Sequence, residues 1–200
     1  MSIENIGIQQ PDVSCRLAEL AREMPGKHID VEQLDKPFQL TQETRDTLPP
    51  LSPETSERLE AQGYPETVLD AVGSEAEAGI YEDAQLEPAV INDKDALIRT
   101  DIDYEQTDLF GESNLERMRS GRPPLDENGV PIELHHIGQT HNAPLAELTR
   151  AEHRCNGNDN ILHDKLKESE INREDFNRER AEYWQARAEQ IDQQRTGDNT

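Results

Sequence analysis

Residues 131–154, PIELHHIGQTHNAPLAELTRAEHR, contain His135, His136, His141 and His153, and His163 follows in NDNILHDK. Five of the six histidines therefore lie within 29 residues, and only His28 stands elsewhere. Imidazole is the side chain that, near neutral pH, serves either as a metal ligand or as an acceptor of protons. Such density points to chemistry that uses a bound cation, a general base, or both.

The local pattern indicates how these groups are held. In PIELHHIG, strand alternation sends Ile132, Leu134 and His136 to one side and Glu133, His135 and Ile137 to the other. Two adjacent histidines then face different directions, which suits a division of labour between metal binding and proton transfer; a kink after Leu134 would instead bring both into one cleft. HIGQTHNAP reads as a loop in which His141 is exposed and Gln139 orients a ligand or the backbone. LAELT reads as a second strand, and TRAEHR opens a helix with Thr149 as cap and Glu152 at its third position. Strand, loop, strand and helix make a ββα unit.

Upstream, SCRLAELAREM (14–24) has helical spacing, and residues 27–53, with Pro49, Pro50 and Pro53, read as a linker. Three short helices are expected in SPETSERLEAQG, YPETVLDAVGS and SEAEAGIYEDAQL, forming a small acidic module. Ser52 caps the first and Gly63 ends it. AVINDKDALIRTDI predicts a hairpin about Asn92-Asp93, with Ala96, Ile98 and Ile102 on one side. FGESNLERMRSG predicts a helix with a capping box at Ser113 and Glu116, stopped at Gly121, and Asp126-Glu127-Asn128-Gly129 predicts a turn. From Asn172 a longer helix places Phe176, Tyr183, Trp184, Ala188 and Ile191 on a broad packing face. The fold class is α+β, with a ββα core, flanking helices and an acidic, mainly helical leader.

Net charge is -23, with 32% hydrophobic residues. Residues 1–110 hold 8 basic and 25 acidic residues, whereas residues 111–200 hold 12 and 18, so the histidine-rich half is nearly balanced. A divalent cation would make its site locally positive and tolerant of phosphate. Cys15 and Cys155 lie in unlike contexts, which favours free thiols over a disulfide framework. The N-terminal residues lack the basic and apolar regions of a Sec signal, and no run of apolar residues is long enough to span a membrane.

The ordered series NLERMRSG, turn, PIELHHIGQ, PLAELTRAEHR, NDNILHDK and ESEINREDFNRERAEYWQARAE resembles the LHH branch of the HNH/endonuclease VII superfamily of ββα-metal nucleases, found in C-terminal domains of bacterial polymorphic toxins. Leu134-His135-His136 is the triplet. The resemblance implies that His135, His153 and His163 hold one divalent metal ion (Zn, Ni, Mn or Mg), and that His136 is the general base. It departs from members whose distal ligands are four apart on one helix, because nine residues separate His153 from His163. Arg117, Arg119, Arg150 and Arg154 are candidates for binding substrate phosphate.

The resemblance further implies hydrolysis of DNA phosphodiester bonds by an interbacterial toxin effector. Such an effector is made in the bacterial cytoplasm without a Sec signal, delivered to a target cell and neutralised by a cognate immunity protein. The alternatives are a non-catalytic zinc-stabilised binding module and a phage or housekeeping nuclease. The expected divisions are 1–52 (leader and linker), 53–95 (acidic helices) and 96–195 (nuclease domain). On that division a fragment from residue 96 should cut DNA at least as well as the whole chain.

Overall fold

The computed structural model describes residues 47–164 and 173–197, which fall within one unit spanning Glu43–Thr200. The helix expected over 14–24, with Cys15 and His28, lies outside the described residues.

Three short helices come first: α1 (Pro53–Ala61), α2 (Glu66–Ala71) and α3 (Glu75–Asp83). Ser52 Oγ accepts the Thr55 N–H at 3.2 Å, and Pro53 occupies the first turn, where its missing N–H costs nothing. Ser74 Oγ does the same for the Glu77 N–H at 3.1 Å in α3. Strands β1 (Glu87–Ile91) and β2 (Lys94–Ile98) form the expected hairpin. Asn92 and Asp93 both take left-handed backbone, φ 52° and 60°, the two-residue turn whose twist matches that of paired strands.

Helix α4 (Asn114–Arg119) begins with both halves of its capping box, and β3 (Glu133–His136) and β4 (Leu145–Leu148) then pair antiparallel. Helices α5 (Arg150–Arg154) and α6 (Asn158–Leu162) follow, and α7 (Arg173–Gly197) ends the described chain. The sheet order is β1-β2-β4-β3, with β2 and β4 parallel, so β3 is an edge strand.

Each sheet face carries its own apolar layer. On one, Leu97, Ala146, Leu148 and Ile137 pack with Leu59, Val68 and Tyr81 of α1–α3 and with Leu162 of α6. On the other, Ala96, Leu134 and Leu145 pack with Met118 of α4 and with Tyr183, Trp184, Ala188 and Ile191 of α7. The packing face expected for the C-terminal helix is the one observed.

Glu147 of β4 is fully buried beneath α7 and accepts from Arg99 N (2.8 Å), Tyr183 Oη (2.8 Å) and Arg187 Nε (3.3 Å). Burial pushes its carboxyl up, while the Arg187 charge and these donors pull the other way. Leaving any of the partners alone in that interior would be costly, so the set fastens α7 to the sheet.

The acidic helices are thus half of the wall behind the ββα unit, and the division expected at residue 96 falls inside β2. Periodicity shows which face of a helix is apolar, but not what covers it. A fragment from residue 96 would lack β1 and the whole α1–α3 layer. It is expected to lose the cooperative thermal transition of the full chain by circular dichroism, and Leu97→Ala should cost about 2–5 kcal/mol. A cooperative melt of that fragment at the parental temperature would show that the layer is dispensable.

Candidate metal centre and nuclease site

The alternation expected for PIELHHIG holds, and it separates the two histidines. His135, opposite Ala146 in the register, turns to the side where α5 and α6 lie; His136, opposite Leu145, turns under α7. Both side chains are buried, and no kink draws them together.

His153 reaches the same side from α5. That helix is only five residues long and starts with a complete capping box: Glu152 N–H donates to Thr149 Oγ1 (3.2 Å) and Thr149 N–H donates to Glu152 Oε2 (2.7 Å). Asn156 and Gly157 then take left-handed backbone, φ 58° and 82°, and turn the chain into α6. His163 stands just past the end of α6, which explains the nine-residue spacing: two short helices joined by a reversal replace one continuous ligand helix.

The three rings converge. Centroids are 5.1 Å apart for His135 and His153, 5.0 Å for His135 and His163, and 4.9 Å for His153 and His163. One ligand atom from each lies within 4.8 Å of the others. His153 Nδ1 lies 2.7 Å from Glu133 Oε2, which also accepts from Arg154 Nε at 2.8 Å. Burial would raise the Glu133 carboxyl, but bonds from His153 and Arg154, with their charge, outweigh it and hold it at about 2. An ionised carboxylate can only accept, so Nδ1 of His153 carries a hydrogen, and in the neutral imidazole that a metal ligand must be, Nε2 keeps its lone pair. His163 Nδ1 lies 3.2 Å from the Asp159 carbonyl oxygen and 3.1 Å from Asp159 Oδ1, both acceptors, so the neutral ring likewise keeps its lone pair on Nε2.

Those two Nε2 atoms are 3.3 Å apart. At that distance a proton on one ring makes a hydrogen bond to the other, and with both rings neutral in these tautomers a cation between the lone pairs does the same work. Nitrogens bound at ~2.0–2.1 Å to a tetrahedral ion lie roughly 3.3–3.4 Å from each other. The donor set and its spacing therefore fit a divalent metal ion, with Glu133 setting the tautomer and direction of His153 as a carboxylate behind a ligand imidazole does. Glu133 was not singled out by sequence reasoning as a site residue, although its place two residues before His135 on the same strand face was the signal.

His136 belongs to a different constellation. Its Nε2 is 2.9 Å from Glu179 Oε2, and its ring is 4.7 Å from that of Phe176, both on α7. Lys94 Nζ donates to Glu179 Oε1 at 2.6 Å. Burial works to raise the Glu179 carboxyl, yet the bonds from His136 and Lys94 prevail and hold it at about 2. Nothing in the sequence pattern pairs position 179 with position 136.

The arginines divide. Arg117 is committed to Asp108 (2.9 Å) and the Pro123 carbonyl oxygen (3.1 Å), and Arg119 to Asp192 through both carboxylate oxygens, so neither is placed with the histidine cluster. Acidic neighbours distant in sequence absorb them. Arg154 pairs with Glu133 and is half-exposed, whereas Arg150 opens α5, the helix that carries His153. His141 is exposed in its loop, as expected. Gln139 Oε1 accepts the Asp164 N–H at 2.7 Å. Cys155 is disulfide-bonded, against the expectation of a free thiol at that position. A separate cleft beyond α5, lined by Arg99, Asp101, Asp103, Asp126, Glu127 and Glu152, contains none of the histidines.

Residues 113–190 match the family model LHH, described as a nuclease of the HNH/ENDO VII superfamily with conserved LHH. The chain carries an LHH nuclease domain. No solved structure matches it. The matched span contains Leu134-His135-His136, His153, His163 and Glu179, and begins at the Ser113 cap of α4, so β1, β2 and α1–α3 lie outside it. Among the described residues no helix is long and apolar enough to cross a membrane.

Glu133→Gln keeps the shape of this side chain but removes the charge that fixes His153. It should weaken Zn²⁺ binding by roughly 10–100-fold in calorimetric titration. Because the folded carboxyl sits at about 2 against an ordinary 4.5, its contribution to stability is complete above about 4.5 and is lost as pH falls towards 2. The variant should therefore show a shallower loss of melting temperature across that acid window than the parent.

Proposed function

We propose that the LHH domain is a metal-dependent endonuclease that hydrolyses DNA, and that the chain acts as an interbacterial toxin. The observation that carries the nuclease reading is the convergence of His135, His153 and His163 within the span matched to LHH. A divalent ion (Zn, Ni, Mn or Mg) held there would polarise the scissile phosphate and offset charge on the leaving 3′ oxygen. Three protein ligands among the described residues leave room for substrate, which favours catalysis over a closed structural zinc module.

His136 is the proposed general base. Ionised Glu179 accepts from its Nε2–H, leaving Nδ1 to take a proton from water, and the same carboxylate stabilises the imidazolium that results. Lys94 holds the second oxygen of Glu179, so that the carboxylate keeps its aim. The His136 side chain is 1% exposed and packs on Phe176, so this role requires the first turn of α7 to move aside before water can meet Nδ1. Arg150 and Arg154, on the helix that carries His153, are the proposed phosphate contacts.

Burial of His136 supports a second reading, in which its bond to Glu179 only fastens α7 to β3. The toxin role, a cognate immunity protein, and production without a Sec signal for delivery into a target cell are supported by the resemblance to polymorphic-toxin domains.

Supercoiled plasmid is expected to be nicked and linearised with added divalent metal and left intact in EDTA, with weaker action on RNA, because the site needs no 2′-hydroxyl. His153→Ala should lose both metal binding and cleavage. His136→Ala should lose cleavage, keep parental Zn²⁺ affinity by calorimetry, and abolish toxicity when expressed in bacteria. If His136→Ala instead cuts normally but melts well below the parent, His136 is a structural clamp. Cleavage that persists in EDTA would remove the metal from the mechanism.

A further inference from the structure

The turn after the strand histidines, Ile137–Gln139, has two consecutive residues in left-handed backbone: Gly138 at φ 79° and Gln139 at φ 58°. Gly138 suits its place on two counts, since a Cβ there would lie 2.8 Å from the Ala71 carbonyl oxygen at the end of α2. Gln139 does not suit its place by backbone preference, because glycine or asparagine adopts that conformation more readily. What glutamine adds is a side chain long enough for Oε1 to accept the Asp164 N–H at 2.7 Å, 25 positions further along the chain. A residue kept in an unfavourable backbone region is grounds for asking what function it serves.

Asp164 directly follows His163, whose backbone is already extended at φ -124° and ψ 122°. His163 N and Nδ1 both bond to the Asp159 carbonyl oxygen, one turn back in the same short helix, and Nδ1 also lies 3.1 Å from Asp159 Oδ1. They fix the ring relative to α6, not relative to β3. The Gln139 bond links the segment that carries His135 directly to the segment that carries His163, while α2 backs the turn at Gly138. We propose that Gln139 is a positioning residue, which sets the separation of His163 from His135 and so the affinity of the three-histidine cluster for a divalent cation. The proposal rests on the reading of that cluster as a metal centre.

Gln139→Gly separates this role from a merely structural one, since it relieves the backbone while deleting the bond. Its melting temperature in EDTA should equal or exceed that of the parent, yet Zn²⁺ should bind about tenfold more weakly by calorimetry, and bound Co²⁺ should show a weakened tetrahedral visible band. Gln139→Glu, which keeps an acceptor oxygen at the same reach, should stay within about threefold of the parent. Parental Zn²⁺ affinity and Co²⁺ spectrum in Gln139→Gly would overturn the assignment, as would a lowered melting temperature that by itself accounts for the weaker binding. A parent chain that binds neither ion would overturn the metal centre and this role with it.

Discussion

Neighbouring residues on a strand face opposite sides of its sheet, and most of the site follows from that constraint acting on Glu133–His136. It puts Glu133 and His135 with the α5–α6 side, where a carboxylate, three imidazoles and a short turn converge, and it puts His136 with α7, where a second carboxylate waits. Each face of the strand therefore has its own helix partner and its own ionised carboxylate, Glu133 bonded to His153 on one and Glu179 bonded to His136 on the other. The strand has to be covered on both faces for either arrangement to exist, and so the chain needs α1–α3 on one side and α4 with α7 on the other.

Electrostatics in this acidic chain is arranged by pairing. Arg99, Arg117, Arg119 and Arg187 are each engaged by carboxylates, with Glu147 in the fully buried member of these pairs, so these four basic groups hold the fold. Among the described residues, the charges beside the histidines include Glu133 with Arg154, Asp159 next to His163, and Arg150 at the start of α5. A divalent cation among the imidazoles would add a large positive charge to this field and strengthen any attraction for phosphate.

Short-range features were legible in the sequence because each is set by a few neighbouring residues. The caps at Ser52, Ser113 and Thr149, the Asn92-Asp93 turn and the facing of Glu133, His135 and His136 all belong to this class. The grouping of His153 and His163 needed the family resemblance, since spacing alone does not foretell a reversal at Asn156-Gly157. Pairs such as His136 with Glu179, Arg119 with Asp192 and Gly138 with Ala71 were not legible, because they depend on how finished elements dock. The same holds for the acidic helices, whose charged faces were evident and whose buried partners were not.

The parallel pairing of β2 with β4, Ala96 with Leu145 and Leu97 with Ala146, joins segments made far apart in time as well as in sequence. A ribosome finishes the helices and the hairpin first, but the central strand that unites the sheet arrives only with β4, and His163 only after that. Closing so long a loop is an entropic barrier that local helix formation does not lower. The histidine cluster consequently comes together only after the chain has been made as far as His163.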